Sequence, residues 1–295
     1  MSLEPIAELM RRARTRGYAV GYFESWGVDS LYGVIDAAEA TRSPVIIGFN
    51  GEFLSHPGRL TQERLALYGA LGRAAAEAAN VPCGFIFNEC AQDDWTKAAI
   101  EAGFNLVMPA DTVASLDDYT RRVKEIATLA HARGVAVEAE LGELPFGDRG
   151  DARHDAQPTG PREAAAFVAA TGVDLLAVSV GNVHIALNGR FGLDLDRLAA
   201  IAAATPIPLV LHGGTGIADE ALKAAIALGV AKVNYGTYIK QRYLAALRRA
   251  ILVDEPDPHV LLGLGGERDL MVIGRNVVRE AALERMPLLG SAGKA

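Results

Sequence analysis

Short apolar runs rich in β-branched residues alternate along the chain with longer stretches whose apolar positions recur every three or four residues. AVGYF (19–23) precedes a stretch in which Leu31, Val34, Ile35 and Ala38 share one helical face. PVIIGF (44–49) precedes an amphipathic stretch over 61–79, and CGFIF (83–87) precedes DDWTKAAIEAG (93–103). The alternation continues through NLVMPA, VAVEAELG, DLLAVSV, PLVLHGG and AKVNYG, each followed by a helical pattern, which makes eight strand–helix pairs. Gly103, Gly134 and Gly229 stand at helix ends just before the next strand, where a left-handed residue is wanted. Eight such pairs predict an α/β protein, a TIM (β/α)8 barrel with a C-terminal helical extension. An open doubly wound sheet is the runner-up. Its glycine-rich fingerprint would fall in the first turn, FESWGVDS, and is missing there.

Two segments fall outside the alternation. Residues 143–160, ELPFGDRGDARHDAQPTG, read as a long polar loop, functional or disordered. Residues 253–295 read as a tail with one helix, VIGRNVVREAALERM, expected to pack on the barrel exterior or on another subunit. The expected organisation is one domain over 1–295, with a barrel core over about 17–252.

Composition narrows the class of partner. Half of the 295 residues are apolar and 22% are charged, as in a chain that buries a sizeable core. The net charge of −7 disfavours nucleic acid and anionic lipid as partners. RRARTR (11–16) is read as the solvated face of a helix. Cys83 and Cys90 have no metal or redox spacing and suit a reducing compartment. The N-terminal residues have no apolar core of signal-peptide type, and no run is long enough to span a bilayer. The cytoplasm is the expected location.

In a barrel, chemistry collects at the C-terminal ends of the strands. That rule selects Glu24, Asn50, Asn88, Glu89, Asp111, Glu138, Glu140, His184, His212 and Asn234. Glu138 and Glu140 lie two apart on one strand, so both are expected to face the barrel interior. Glu89, His184 and His212 offer two imidazoles and a carboxylate, a donor set suited to Zn²⁺ or another divalent ion. The plainer alternative for each is a hydrogen-bonded, half-buried side chain. HGGTG (212–216) is expected just before a helix starting near Ile217, where Gly213, Gly214 and Thr215 could cradle an anion. The alternative is a tight turn in which glycine serves only the backbone angles. NYGT (234–237) strengthens the anion reading through Asn234, Gly236 and Thr237.

SPVIIG, VEAELG, TGVDLLAVSVGNVH, PLVLHGGTGI, KVNYGT and the terminal GSAGKA, taken in that order, resemble the class II, metal-dependent ketose-bisphosphate aldolases. The resemblance covers most of the chain. It implies metal-dependent, reversible aldol cleavage of a sugar or sugar-phosphate through a metal-stabilised enediolate. The implied cofactor is a divalent ion, Zn²⁺ first, with Mn²⁺, Mg²⁺ or Co²⁺ as alternatives. The implied partners are a small carbohydrate and further copies of the chain, as a homodimer or homotetramer.

Two of the family's three histidine ligands match His184 and His212, and the third position is Glu89. The implied shell is therefore His₂Glu. The family's acid/base Asp is replaced by Asn88, an amide that cannot exchange a proton near neutral pH. Glu24, Asp111 and Asp148 are candidates to replace it, and Glu140 is kept at the rim. Glu24 stands where the family has a substrate-contacting Asn, and Asn50 is placed among the substrate contacts. Ile185 and Asn188 stand where the family has Gly and Lys, which argues for a weakened phosphate site. Two alternatives stay open: an isomerase, epimerase or decarboxylase built on the same enediolate, and a non-catalytic ligand-binding relative.

Overall fold

The computed structural model describes residues 2–110, 115–142, 144, 157–183 and 190–295. Eight parallel strands close into a barrel in chain order. They are β1 (Val20–Ser25), β2 (Val45–Asn50), β3 (Cys83–Cys90), β4 (Leu106–Pro109), β5 (Ala136–Leu141), β6 (Leu175–Val178), β7 (Leu209–Leu211) and β8 (Val230–Tyr235). The fold is a TIM barrel. Helices α1 (Ile6–Arg16), α2 (Val28–Thr41), α3 (Gly51–Leu54), α4 (Leu65–Ala78), α5 (Asp93–Ala102), α6 (Leu116–His131), α7 (Pro161–Thr171), α8 (Leu195–Ala204), α9 (Asp219–Ala227) and α10 (Thr237–Ile251) lie in turn before, between and after them. Short α11 (Pro258–Leu261) and long α12 (Leu270–Arg285) complete the chain. No described helix is long and apolar enough to cross a membrane.

The alternation that predicted the strands also sorts their side chains into two cores. The larger core lies between strands and helices. The smaller fills the barrel: Val20, Tyr22, Ile46, Ile86, Leu106, Met108, Leu175 and Val210 from the strands, and Ile6, Leu9, Met10 and Ala13 from α1. That second set explains the run at 11–16. The apolar stripe of α1 closes the N-terminal end of the barrel, and Arg11, Arg14 and Arg16 stay exposed. The three glycines expected at helix ends all have positive φ, between 70° and 109°.

Two details differ from the expected elements, and the tail lies where one expectation put it. β3 runs on to Cys90, three residues beyond the apolar run, because its register against β4 shifts between Phe87 and Cys90. HGGTG does not open an α-helix: Gly214–Gly216 form one 3-10 turn, and α9 begins only at Asp219. In that turn the Gly216 and Ile217 amides donate to Gly213 O and Gly214 O. The tail packs on the barrel exterior, where α12 lies against α2 and α10. Arg275 of α12 holds Asp36 of α2 with two hydrogen bonds of 2.5 and 2.8 Å.

Candidate active site

Above the apolar filling of the barrel lies a polar layer made by β2, β3, β5, β8 and the residue after β7. Strand periodicity supplies it: Glu138 and Glu140 on β5, and Lys232 and Asn234 on β8, are pairs two residues apart. His212 follows β7 directly and is almost fully buried. Its backbone carbonyl accepts from Asn182 Nδ2, 3.1 Å away.

His212 is held on both sides by carboxylates. Nε2 lies 3.0 Å from Glu138 Oε1. Nδ1 lies 2.8 Å from Glu140 Oε2 and 3.4 Å from Glu89 Oε1, yet makes no well-aligned hydrogen bond among the described residues. Burial pushes the imidazole pKa down, but Glu140, Glu138 and Glu89 outweigh it and carry the ring up to about 10. Glu138 is itself fully buried. Burial would raise its pKa, but Lys232 and His212 overcome that and hold it below the usual carboxylate range. Lys232 Nζ sits 2.8 Å from Glu138 Oε2 and 2.7 Å from Asn234 Oδ1. Asn234 Nδ2 in turn lies 3.5 Å from Asn88 Oδ1.

Glu89 is a buried carboxylate near the end of apolar strand β3. Its φ is +53°, a left-handed conformation that a residue of this kind seldom adopts inside a strand. It stands within the register shift of β3, and its Oε1 faces His212 Nδ1. The other oxygen accepts from Asn50 Nδ2 at 2.8 Å. Asn50 also caps α3 by accepting from the Phe53 amide. The residue placed among the substrate contacts thus positions Glu89.

Two of the expected ligands stand at a spacing that one divalent ion allows. Two ligands of one tetrahedral ion with bonds of about 2.0–2.1 Å lie about 3.3 Å apart, and Glu89 Oε1 and His212 Nδ1 are 3.4 Å apart. With an ion on Nδ1, Glu138 would accept from the N–H of the opposite nitrogen. Among the described residues no group of three His, Cys, Asp or Glu forms a complete shell. The third expected ligand, His184, lies outside the described residues, as do Asp111, Asp148, Ile185 and Asn188.

The remaining expected residues divide by place. Gly213, Gly214 and Thr215 form the turn after β7. Gly236 and Thr237 begin α10 beside Glu24, which accepts from Lys240 Nζ. Lys232 escaped the motif reading, and Glu138 entered it only as a residue facing inward. The available signal for Lys232 was its parity with Asn234: a charged residue on the inward face of an apolar strand needs a buried partner.

Comparison with known proteins places the chain in a family. The model of the class-II fructose-bisphosphate aldolases matches residues 4–294. The fructose-bisphosphate aldolase of Thermus caldophilus is 34% identical, over 98% of each chain. The crystal structure of the YdjI aldolase from Escherichia coli K12 superposes with a TM-score of 0.80 at 32% identity, over 99% of each chain. A putative fructose-1,6-biphosphate aldolase from Coccidioides immitis gives 0.81 at 28% identity, over 98% of this chain and 97% of that one. A family match along nearly its whole length and relatives above 30% identity lead to one conclusion: the chain belongs to the class II fructose-bisphosphate aldolase family.

Proposed function

We propose that the protein is a metal-dependent aldehyde-lyase that reversibly cleaves the carbon–carbon bond of a ketose or ketose phosphate. The observation that supports this most directly is the approach of Glu89 Oε1 to within 3.4 Å of His212 Nδ1. A divalent ion held by Glu89, His184 and His212 would supply the Lewis acid that polarises a substrate carbonyl.

The chain's own groups take the other roles. Asn50 and the left-handed backbone aim Glu89. Glu138, neutralised by Lys232, would accept from the Nε2 N–H of His212 with an ion on Nδ1. Asn234 and Asn88 offer neutral amide groups that can orient substrate hydroxyls. Asn88 cannot accept the hydroxyl proton. Among the described carboxylates around His212, Glu140 is the most open to solvent, with its side chain 20% exposed against 11% for Glu89 and 0% for Glu138. Glu140 Oε2 is the atom assigned to take and return that proton.

The test combines elemental mass spectrometry with a cleavage assay on untagged protein. The expected result is about one divalent ion per chain, lost in Glu89→Ala, together with aldehyde release from a ketose phosphate panel. Protein that takes up no ion after incubation with Zn²⁺ and Mn²⁺ would sink the proposal. Asn88 in place of an acid favours a second reading, isomerisation or epimerisation. Product analysis separates the two, because only cleavage yields two carbon fragments.

A further inference from the structure

Glu24 lies at the rim end of β1. The register of β1 against β8 sets Tyr22 beside Asn234 and Phe23 beside Tyr235, which brings Glu24 level with Gly236. Gly236 immediately precedes α10, with φ −132° and ψ −65°, outside the main α and β regions. A Cβ on Gly236 would lie 2.3 Å from Glu24 Oε2. The buried carboxylate of Glu24 therefore fills the volume that a side chain at 236 would take. Its other oxygen accepts from Lys240 Nζ, one turn into α10. The same ammonium lies over the Phe53 ring, 4.1 Å from its centroid. Among the described residues no side chain caps the start of α10. The positive end of a 15-residue helix and the Lys240 ammonium thus stand beside a negative charge that the chain itself provides.

We propose that Glu24 is a specificity-determining residue that excludes a phosphate dianion from this corner of the rim and accepts hydroxyl groups there. The inference rests on the aldolase reading for its substrate, a polyhydroxy carbonyl compound. It adds that the arm reaching β1, β8 and α10 is an uncharged polyol, so that any phosphate sits at the other end of the molecule. Two properties of the corner support it. The helix end and Lys240, which would otherwise attract an outside anion, are already neutralised by Glu24. An ionised carboxylate also accepts hydrogen bonds and donates none, which matches a hydroxyl and opposes a phosphate oxygen.

The test is calorimetric titration of inorganic phosphate into the full-length protein, wild type beside Glu24→Gln and Lys240→Gln. Glu24→Gln keeps the shape, removes the charge and releases Lys240. It is expected to bind phosphate at least about tenfold more tightly than wild type. Lys240→Gln keeps the carboxylate and is expected to bind no more tightly than wild type. Affinities within twofold for wild type and Glu24→Gln, or tighter binding by Lys240→Gln, would overturn the proposal. In the condensation direction, the kcat/KM for glyceraldehyde 3-phosphate relative to glyceraldehyde is expected to rise about tenfold in Glu24→Gln, and an unchanged ratio would also overturn it. The titration requires no turnover. Absence of aldol cleavage would therefore count against the reaction assigned above and leave the phosphate result standing.

Discussion

At the scale of single residues, the site is governed by which groups carry a proton. The His212 ring, lifted to about 10, binds a proton more tightly folded than unfolded. That proton stabilises the metal-free fold fully below about pH 6.5, and the contribution fades as pH rises through about 10. EDTA-treated protein is therefore expected to melt at progressively lower temperature from pH 7 to pH 10, and His212→Asn to flatten that slope. Metal uptake has the opposite sign: the proton must leave Nδ1, so affinity should tighten as pH rises. Glu140→Gln tests the proton role directly. It is expected to lower kcat by about 10²–10⁴-fold. Much of this layer was legible in the sequence, because strand ends of a barrel collect chemistry and parity turns Glu138 and Glu140 inward. The left-handed backbone of Glu89 was not, since nothing local marks it; the shift of β3 against β4 creates it. Nor was the ion pair of Glu24 with Lys240, which joins residues 216 positions apart.

At the scale of elements, the helices and strands follow their periodicity closely, and the exceptions occur where tertiary contacts override it. The 3-10 turn at Gly214–Gly216 is one exception. A Cβ on Gly214 would lie 2.7 Å from Val233 Cγ1 and 2.9 Å from Asn234 O, so the turn is pressed against β8 and the next helix starts late. The seam between α2 and α12 is a second. The helix at 270–285 was readable from its pattern, but its partner was not. A Cβ on Gly33 would lie 2.5 Å from Arg275 O and 2.8 Å from Val278 Cβ, so glycine sets the close approach of the two helices. Gly33→Leu is expected to cost about 1–3 kcal/mol by overpacking, measured by denaturant unfolding. Unchanged stability would mean that α12 can move off the barrel freely.

At the scale of the whole molecule, the polar layer stands on an apolar floor. Val20, Ile46, Ile86, Leu106, Leu175 and Val210 lie beneath it, and α1 closes the far end with Ile6, Leu9, Met10 and Ala13. The barrel is thus a cup, and whatever enters it must leave by the same mouth. An ion at Glu89 and His212 would lie deeper than the substrate that covers it, so the two would depart in a fixed sequence, substrate first. Chelator should then strip metal from the ligand-free enzyme freely, and in the presence of substrate or product only as fast as that ligand dissociates. Stopped-flow transfer of the metal to a fluorescent chelator would measure this, and equal rates in both conditions would show a second exit. Under turnover, a cup of this kind keeps its ion best when it is busiest.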